Sequence, residues 1–127
     1  MMVERRVFLG GAAAALLLPA KVMALEEFDT ESVYAIIGQM LAAPGKREEL
    51  IACLAEGSAA MQGNLAYHIW RDKADVNSIW ITEVWKDEAS HKASLELPQV
   101  QEAIRKARPI IAGFGARAEL EPAGGKR

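Results

Sequence analysis

Two neighbouring segments carry apolar side chains on both of their faces, and this restricts the possible folds more than any other feature of the chain. Residues 65–71 and 79–86 are rich in β-branched and aromatic residues and flank a polar segment, so they predict a β-hairpin. With its turn near Asp75, one face of the hairpin holds Leu65, Tyr67, Ile69, Ile81, Glu83 and Trp85, and the other holds His68, Trp70, Trp80, Thr82 and Val84. Such a hairpin needs a cover on each side.

The residues before the hairpin predict one strand and one helix. Residues 33–40 form a β-branched and aromatic run that stops before the turn-forming pair Pro44-Gly45. In residues 46–61 the apolar side chains recur at helical spacing, with charged residues between them. Gly63-Asn64 follows as the expected end of this helix.

The residues after the hairpin predict a broken second helix and a last strand. Asp87 can cap the second helix at Ser90, Pro98 can begin its second part, and Pro109 ends it. In residues 114–121 apolar side chains alternate with glycine or charged residues, as in a half-exposed strand. The order β-α-β-β-α-β predicts a ferredoxin-like α+β fold with an antiparallel sheet.

This predicted sheet has more apolar surface than its own helices can cover. Two helices pack on one face of a four-stranded sheet, which leaves the face with Trp70 and Trp80 as an exposed aromatic patch. We therefore predict a homodimer in which the two sheets face each other.

The amino terminus has the composition of an export signal. Arg5 and Arg6 precede an uncharged apolar run over residues 7–20, and the residues from Val22 to Ala24 resemble a cleavage site. The apolar run is shorter than the roughly 20 residues that a membrane-spanning helix needs. These features predict a cleaved secretory signal peptide, and a buried amino-terminal helix is the alternative.

The residues around the two arginines resemble the twin-arginine export signal, in which any residue and then Phe-Leu follow the arginines. Phe8 and Leu9 fit that pattern, and Lys21 resembles the basic residue that disfavours the general secretory route. Glu4 departs from the Ser or Thr that the pattern prefers. The resemblance implies export by the twin-arginine route, with the general secretory route as the alternative.

The chain is thus divided into four predicted parts, which are a signal peptide (1–24), a linker (25–32), a folded domain (33–121) and a flexible tail (122–127). The mature protein would be periplasmic or secreted, without a stable membrane anchor, because no cysteine for lipid attachment lies near the cut. Cleavage removes three basic residues and one acidic residue, which leaves 103 residues with a net charge of −4. An acidic domain has no electrostatic reason to bind nucleic acid or anionic membrane.

Cys53 is the single cysteine of the chain. It cannot form an intramolecular disulfide, even in an oxidising compartment. Because it lies within the apolar pattern of residues 46–61, we predict a buried, unreactive thiol in preference to a reactive one.

Three blocks of sequence carry a family pattern. They run from Ala43 to Leu50, from Gly63 to Tyr67, and from Ile81 to Ala89 with His91 beyond it. Together they resemble the antibiotic biosynthesis monooxygenase family, including its quinol monooxygenases, over about residues 33–121. The third block is the most specific, because it joins a Glu-x-Trp segment to an acidic helix start and a histidine.

The resemblance implies a ferredoxin-like fold that dimerises through its sheets and oxygenates a quinol-type aromatic substrate without metal, flavin or haem. In that chemistry the deprotonated substrate gives an electron to dioxygen, so the protein supplies an apolar pocket with aromatic walls and groups that hold or accept a proton. The haem-degrading signature of the family is missing, since Glu96 stands where its histidine would fall and the first strand has no asparagine. We therefore predict no haem binding, and the resemblance implies that no other cofactor is needed.

Five residues are candidates for this pocket, which we expect between the sheet and the second helix. His91 could accept a phenolic proton, or it could be an ordinary surface residue of the helix. Glu83 interrupts an apolar strand, so it is either a second catalytic base or a structural carboxylate paired with an arginine or a backbone donor. Trp85, Tyr67 and Tyr34 are candidate substrate-binding residues, and core packing is the alternative for each.

Other features of the sequence narrow the functional prediction. His68 falls on the opposite hairpin face and belongs to the predicted dimer interface, and no histidine pair has the spacing of a metal site. The sequence predicts an exported, cofactor-independent monooxygenase that oxidises a small quinol or polyphenol with dioxygen. The alternative is a non-catalytic, dimeric ligand-binding or stress-related module of the same fold.

Overall fold

The structure, a computed structural model, describes residues 32–126, so the predicted signal peptide and most of the predicted linker lie outside the described residues. Its elements are strand β1 (Tyr34–Ala42), helix α1 (Arg47–Gly57), strands β2 (Asn64–Arg71) and β3 (Ser78–Trp85), helices α2 (Glu88–Ser94) and α3 (Pro98–Ala107), and strand β4 (Ile111–Leu120). The ferredoxin-like α+β fold is confirmed, with the second helix in two parts. In the part of the chain that the structure describes, no helix is long and apolar enough to span a membrane.

The four strands form one antiparallel sheet in the order β2-β3-β1-β4. The register of the β2–β3 hairpin is the predicted one, because Tyr67 lies opposite Glu83 and Trp70 lies opposite Trp80. The two hairpin faces are therefore separated as the alternation of side chains indicates. Leu65 differs from the prediction, since a register shift at the start of β2 displaces it and leaves it 47% exposed.

The hydrophobic core lies between the helices and one face of the sheet. It consists of buried residues from both layers, namely Ala42, Leu50, Ile79, Ile81, Ala107 and Ile110. Helices α1 and α3 approach closely at Gly57, where an added Cβ would lie 2.4 Å from the Cβ of Ala103. Complete burial of a side chain such as Leu50 contributes about 1.5–3 kcal/mol to the free energy of unfolding.

Three local predictions differ from the structure. Helix α1 ends at Gly57 and not at Met61, because glycine is a weak helix former and its contact with α3 favours an end of the helix there. Strand β4 begins at Ile111, three residues before the predicted start at Phe114, because Ile111 pairs with Ala42 directly after a 3₁₀ turn. Cys53 is only partly buried, at the edge of the core.

Asp72 organises the loop between β2 and β3. Its carboxylate accepts hydrogen bonds from the backbone N–H of Ala74 at 2.8 Å, the Ser78 hydroxyl at 3.2 Å and the indole Nε1 of Trp80 at 3.0 Å. These bonds, above all the one from Ala74, hold the pKa of Asp72 below its ordinary value. The ionised form of Asp72 therefore stabilises the folded state.

This carboxylate predicts a loss of stability in acid. A pKa that folding lowers gives stability that is present above the ordinary value of 3.8 and is lost as the pH falls through the lower folded value. We expect the urea midpoint of the wild type to fall more steeply below about pH 3.8 than that of Asp72→Asn. Asp75→Asn is the control in the same loop, and an identical pH dependence of all three proteins would contradict the prediction.

Candidate active site

A cavity of about 140 Å³ lies between the sheet and the helices. Most of its wall is apolar and comes from α1, α3 and the adjoining loops, including Leu54, Val100 and Ile104. An apolar cavity of roughly 150 Å³ is known to hold benzene. The space therefore fits one aromatic ring, which is the size of a simple quinol.

Four of the five predicted site residues line this cavity. Tyr67 and Glu83 form a cross-strand pair between β2 and β3, and Trp85 lies two residues after Glu83 on the same face of β3. His91 reaches the cavity from α2. The structure thus brings these four side chains together from two strands and one helix.

The carboxylate of Glu83 is fixed by Trp85, for which the sequence indicated only substrate binding or core packing. The indole Nε1 of Trp85 donates a hydrogen bond to Glu83 Oε1 at 2.9 Å, and Trp85 itself is buried. The prediction that an arginine or a backbone donor pairs with Glu83 is therefore wrong. Among residues 32–126 this carboxylate accepts no other hydrogen bond, which leaves Oε2 available to a ligand.

Tyr67 is a neutral phenol in the wall of the cavity. Burial, and secondly the negative charge of Glu83 opposite it, raise the pKa of Tyr67 far above its ordinary value. No residue within the described range forms a hydrogen bond with its hydroxyl. The Tyr67 hydroxyl is therefore a hydrogen-bond donor that a polar ligand in the cavity could use.

His91 is held by aromatic contacts. Its ring centroid lies 5.4 Å from that of Trp85, edge to face, and 5.4 Å from that of Tyr34, at a tilt of 41°. Helix α2, which carries it, begins as predicted, because the Asp87 carboxylate accepts a hydrogen bond from the Ser90 N–H at 2.7 Å. Over residues 32–126 the imidazole itself forms no hydrogen bond, so a ligand proton can reach it.

Tyr34 lies outside the cavity wall, beside His91. Its hydroxyl donates a hydrogen bond to Glu119 Oε2 at 2.6 Å, and this bond, followed by burial, raises the pKa of Tyr34. Arg117 Nη1 lies 3.5 Å from the same carboxylate oxygen. Tyr34 therefore supports the imidazole of His91, whereas the prediction placed it against the substrate.

Sequence reasoning missed the part that β4 plays here. Arg117 and Glu119 lie on the face of the sheet that carries Tyr34, because they pair with residues of β1 on that face. The alternation in residues 114–121 had already separated these charged residues from the apolar ones, but it could not identify their neighbours. Those neighbours follow only from the strand order, which places β4 next to β1.

The remaining histidine and the acidic residues do not extend the site. His68 lies on the opposite face, as predicted, with its ring centroid 5.6 Å from that of Trp70. Within residues 32–126 no three His, Cys, Asp or Glu side chains are grouped so that they could hold a metal ion.

Comparisons with known proteins agree with this architecture. Residues 33–106 match the family model described as antibiotic biosynthesis monooxygenase. A provisionally assigned antibiotic biosynthesis monooxygenase from Chloroflexus aurantiacus J-10-fl is 50% identical, with a TM-score of 0.73 over 76% of this chain and 98% of that one. SnoaB, a cofactor-independent oxygenase from Streptomyces nogalater, shares the fold at 17% identity, with a TM-score of 0.62 over 74% and 96% of the two chains. No relative is found among curated proteins.

Proposed function

The chain belongs to the antibiotic biosynthesis monooxygenase family, and we propose that it oxidises a quinol or polyphenol with dioxygen and without metal, flavin or haem. The observation that carries the proposal is the convergence of Tyr67, Glu83, Trp85 and His91 on one apolar cavity that fits an aromatic ring. SnoaB, which has the same fold, is a cofactor-independent oxygenase and so supports the absence of a cofactor.

The proposed reaction needs no external reductant. One atom of dioxygen forms a new C–O bond at a ring carbon, which loses its hydrogen. The other atom leaves as water. The quinol becomes a hydroxyquinone and thereby supplies all four electrons that dioxygen takes up. The first step is removal of a phenolic proton, because the quinolate anion gives an electron to dioxygen far more readily than the neutral quinol.

Each side chain of the cavity has a part in this scheme. His91 accepts the phenolic proton, since its imidazole lies in the wall without a competing hydrogen bond. Tyr67 stays protonated and donates a hydrogen bond to the developing oxyanion, and Glu83 Oε2 accepts one from the second hydroxyl. The indole of Trp85 forms part of the cavity wall and orients Glu83.

Oxygen uptake with a panel of quinols tests the proposal. We expect the protein to consume more oxygen than a heat-denatured control and to place one atom of isotopically labelled dioxygen in the product. A native protein that shows no excess uptake, while quinols still raise its Tm, would be a binding module and would overturn the proposal.

We also propose that the protein is a homodimer in which the sheet faces opposite the helices pack together. On that face Trp70 is 53% exposed and Leu120 is 48% exposed, although the indole of Trp70 donates a hydrogen bond to Thr82. A stable interface of this type buries about 1,200–2,000 Å² in total. Side chains as large as these, exposed on a sheet, are typical of such surfaces.

Light scattering checks the dimer. We expect a mass about twice that of one chain for the wild type, and the mass of a single chain for Trp70→Glu, because the charge would be buried without a partner. Lys73→Glu, in the exposed loop after β2, introduces the same side chain outside the proposed interface and is expected to remain dimeric. A single-chain mass for the wild type would contradict the proposal.

A further inference from the structure

A second cavity of about 390 Å³ lies on the same side of the sheet as the first. Its lining residues come from strands β1, β3 and β4. Glu83 lines both cavities, so a ligand whose hydroxyl meets this carboxylate in the first cavity has the second one beside it. The two spaces therefore meet at the side chain to which we assign a substrate hydroxyl.

Gly38 keeps the floor of the second cavity open. It lies in the middle of β1, between Ile81 on β3 and Arg117 on β4. A Cβ added there would meet nothing closer than 4.0 Å, and the φ angle of Gly38 is outside the positive region. Glycine weakens the interior of a strand, and where it occurs it often marks a β-bulge or a place where a ligand approaches the backbone. A register shift with β4 follows Gly38, and the open space above its Cα also leaves room for a ligand.

The walls around Gly38 define the chemistry of an occupant. Ile36, Met40 and Ile81 supply apolar side chains, and Phe114 offers a ring that is 72% exposed. The one cationic side chain of the lining, Arg117, is already paired with Glu119 at 3.5 Å. The cavity therefore suits an apolar group and provides no unpaired positive charge for an anionic one. Its anionic side chain, Glu83, is the one to which we assign a substrate hydroxyl.

We propose that the second cavity is a subsite for an apolar substituent of the quinol. This inference rests on the proposed function. The quinol ring occupies the first cavity, its hydroxyl meets Glu83, and an alkyl chain or second ring extends across Gly38. The substrate class is then a ring-substituted, hydrophobic quinol, and Gly38 determines the specificity for the substituent.

A side chain at position 38 tests the subsite, because it would enter the cavity while its Cβ meets no atom closer than 4.0 Å. The probes are para-hydroquinone, which needs only the first cavity, and pentylhydroquinone, which needs both. We expect Gly38→Val to lower the ratio of kcat/KM for pentylhydroquinone to that for para-hydroquinone at least tenfold. Each methylene group that loses its apolar site weakens binding, so the loss accumulates along the pentyl chain.

Two further variants make the result decisive. Gly124→Val introduces the same side chain into open space in the carboxyl-terminal tail, outside the cavity, and it is expected to leave the ratio unchanged. Gly38→Ala is the smaller substitution if valine prevents folding, and its ratio is expected to fall by a smaller factor. An unchanged ratio in the Gly38 variants, or an equal loss for both quinols, would overturn the inference.

A binding measurement separates this inference from the proposed function. Quenching of tryptophan fluorescence by pentylhydroquinone without oxygen gives a Kd that does not depend on turnover. If the wild type oxidises no quinol but Gly38→Val raises this Kd tenfold, the proposed function fails and the subsite stands. If the wild type oxidises quinols and Gly38→Val changes neither the ratio nor the Kd, the subsite fails and the proposed function stands.

Discussion

Alanine in place of His91 is expected to lower the excess oxygen uptake with para-hydroquinone by about 10²–10⁴-fold, which is what a positioned general base contributes. The imidazole lies in the wall of the ring-sized cavity, between the rings of Trp85 and Tyr34. Its ring centroid is 5.4 Å from each of theirs. No other described side chain of the wall carries an imidazole that could take the phenolic proton. Without it, the quinol must lose its proton to water before it can reduce dioxygen.

Two controls show whether the loss of activity comes from the imidazole itself. Lys92→Ala changes the next residue of α2, an exposed side chain paired with Glu88, and is expected to retain the wild-type rate. Added imidazole is expected to restore part of the activity of His91→Ala, which a purely structural defect would not allow. If His91→Ala oxidises quinols at the wild-type rate, His91 is not the base.

A second carboxyl variant then locates the base. Glu83→Gln keeps an oxygen that can accept the indole N–H of Trp85, so the orientation of the side chain is preserved while its charge is lost. We expect a smaller loss of activity than for His91→Ala, because Glu83 receives a hydrogen bond in our scheme and does not take the proton. The reverse order of effects would assign the base to Glu83.

The sequence was a good guide wherever one local rule decided the structure. The register of the hairpin follows from the polar turn around Asp75 and the alternation of side chains on either side of it, so the pairing of Tyr67 with Glu83 was predictable. The start of α2 at Asp87 was predictable for the same reason, because a capping carboxylate acts over three residues. These two features place Tyr67, Glu83 and His91, which are three of the four predicted site residues that line the cavity.

The sequence failed where a contact joins distant parts of the chain. The bond between Tyr34 and Glu119 spans 85 positions and depends on β1 lying next to β4, which no local pattern encodes. The early end of α1 likewise depends on its close contact with α3 at Gly57. The partner of Glu83 was also missed, although Trp85 is only two residues away. Nothing in the sequence favoured this indole over an arginine as the hydrogen-bond donor.

Gly63→Ala is expected to lower the free energy of unfolding by about 2–5 kcal/mol, combining the cost of a left-handed backbone with that of an overpacked contact. Gly63 has a φ of 82°, and an added Cβ would lie 2.4 Å from Ser90 Oγ and 2.6 Å from Ser90 Cβ. Ser90 precedes His91 on α2, so the new methyl group displaces the helix that carries the proposed base. We expect urea denaturation to show the loss of stability, and oxygen uptake to fall with it.

Gly45 separates the two causes. Its φ of 77° is almost the same, but nothing lies within 4 Å of an added Cβ, so Gly45→Ala is expected to cost only the backbone part, about 1–2 kcal/mol. Removal of the Ser90 side chain by Ser90→Gly should reduce the effect of Gly63→Ala to that of Gly45→Ala. If the effects of Gly63→Ala and Ser90→Gly are additive instead, the two positions do not interact. The place of His91 would then not depend on the close approach of this turn to α2.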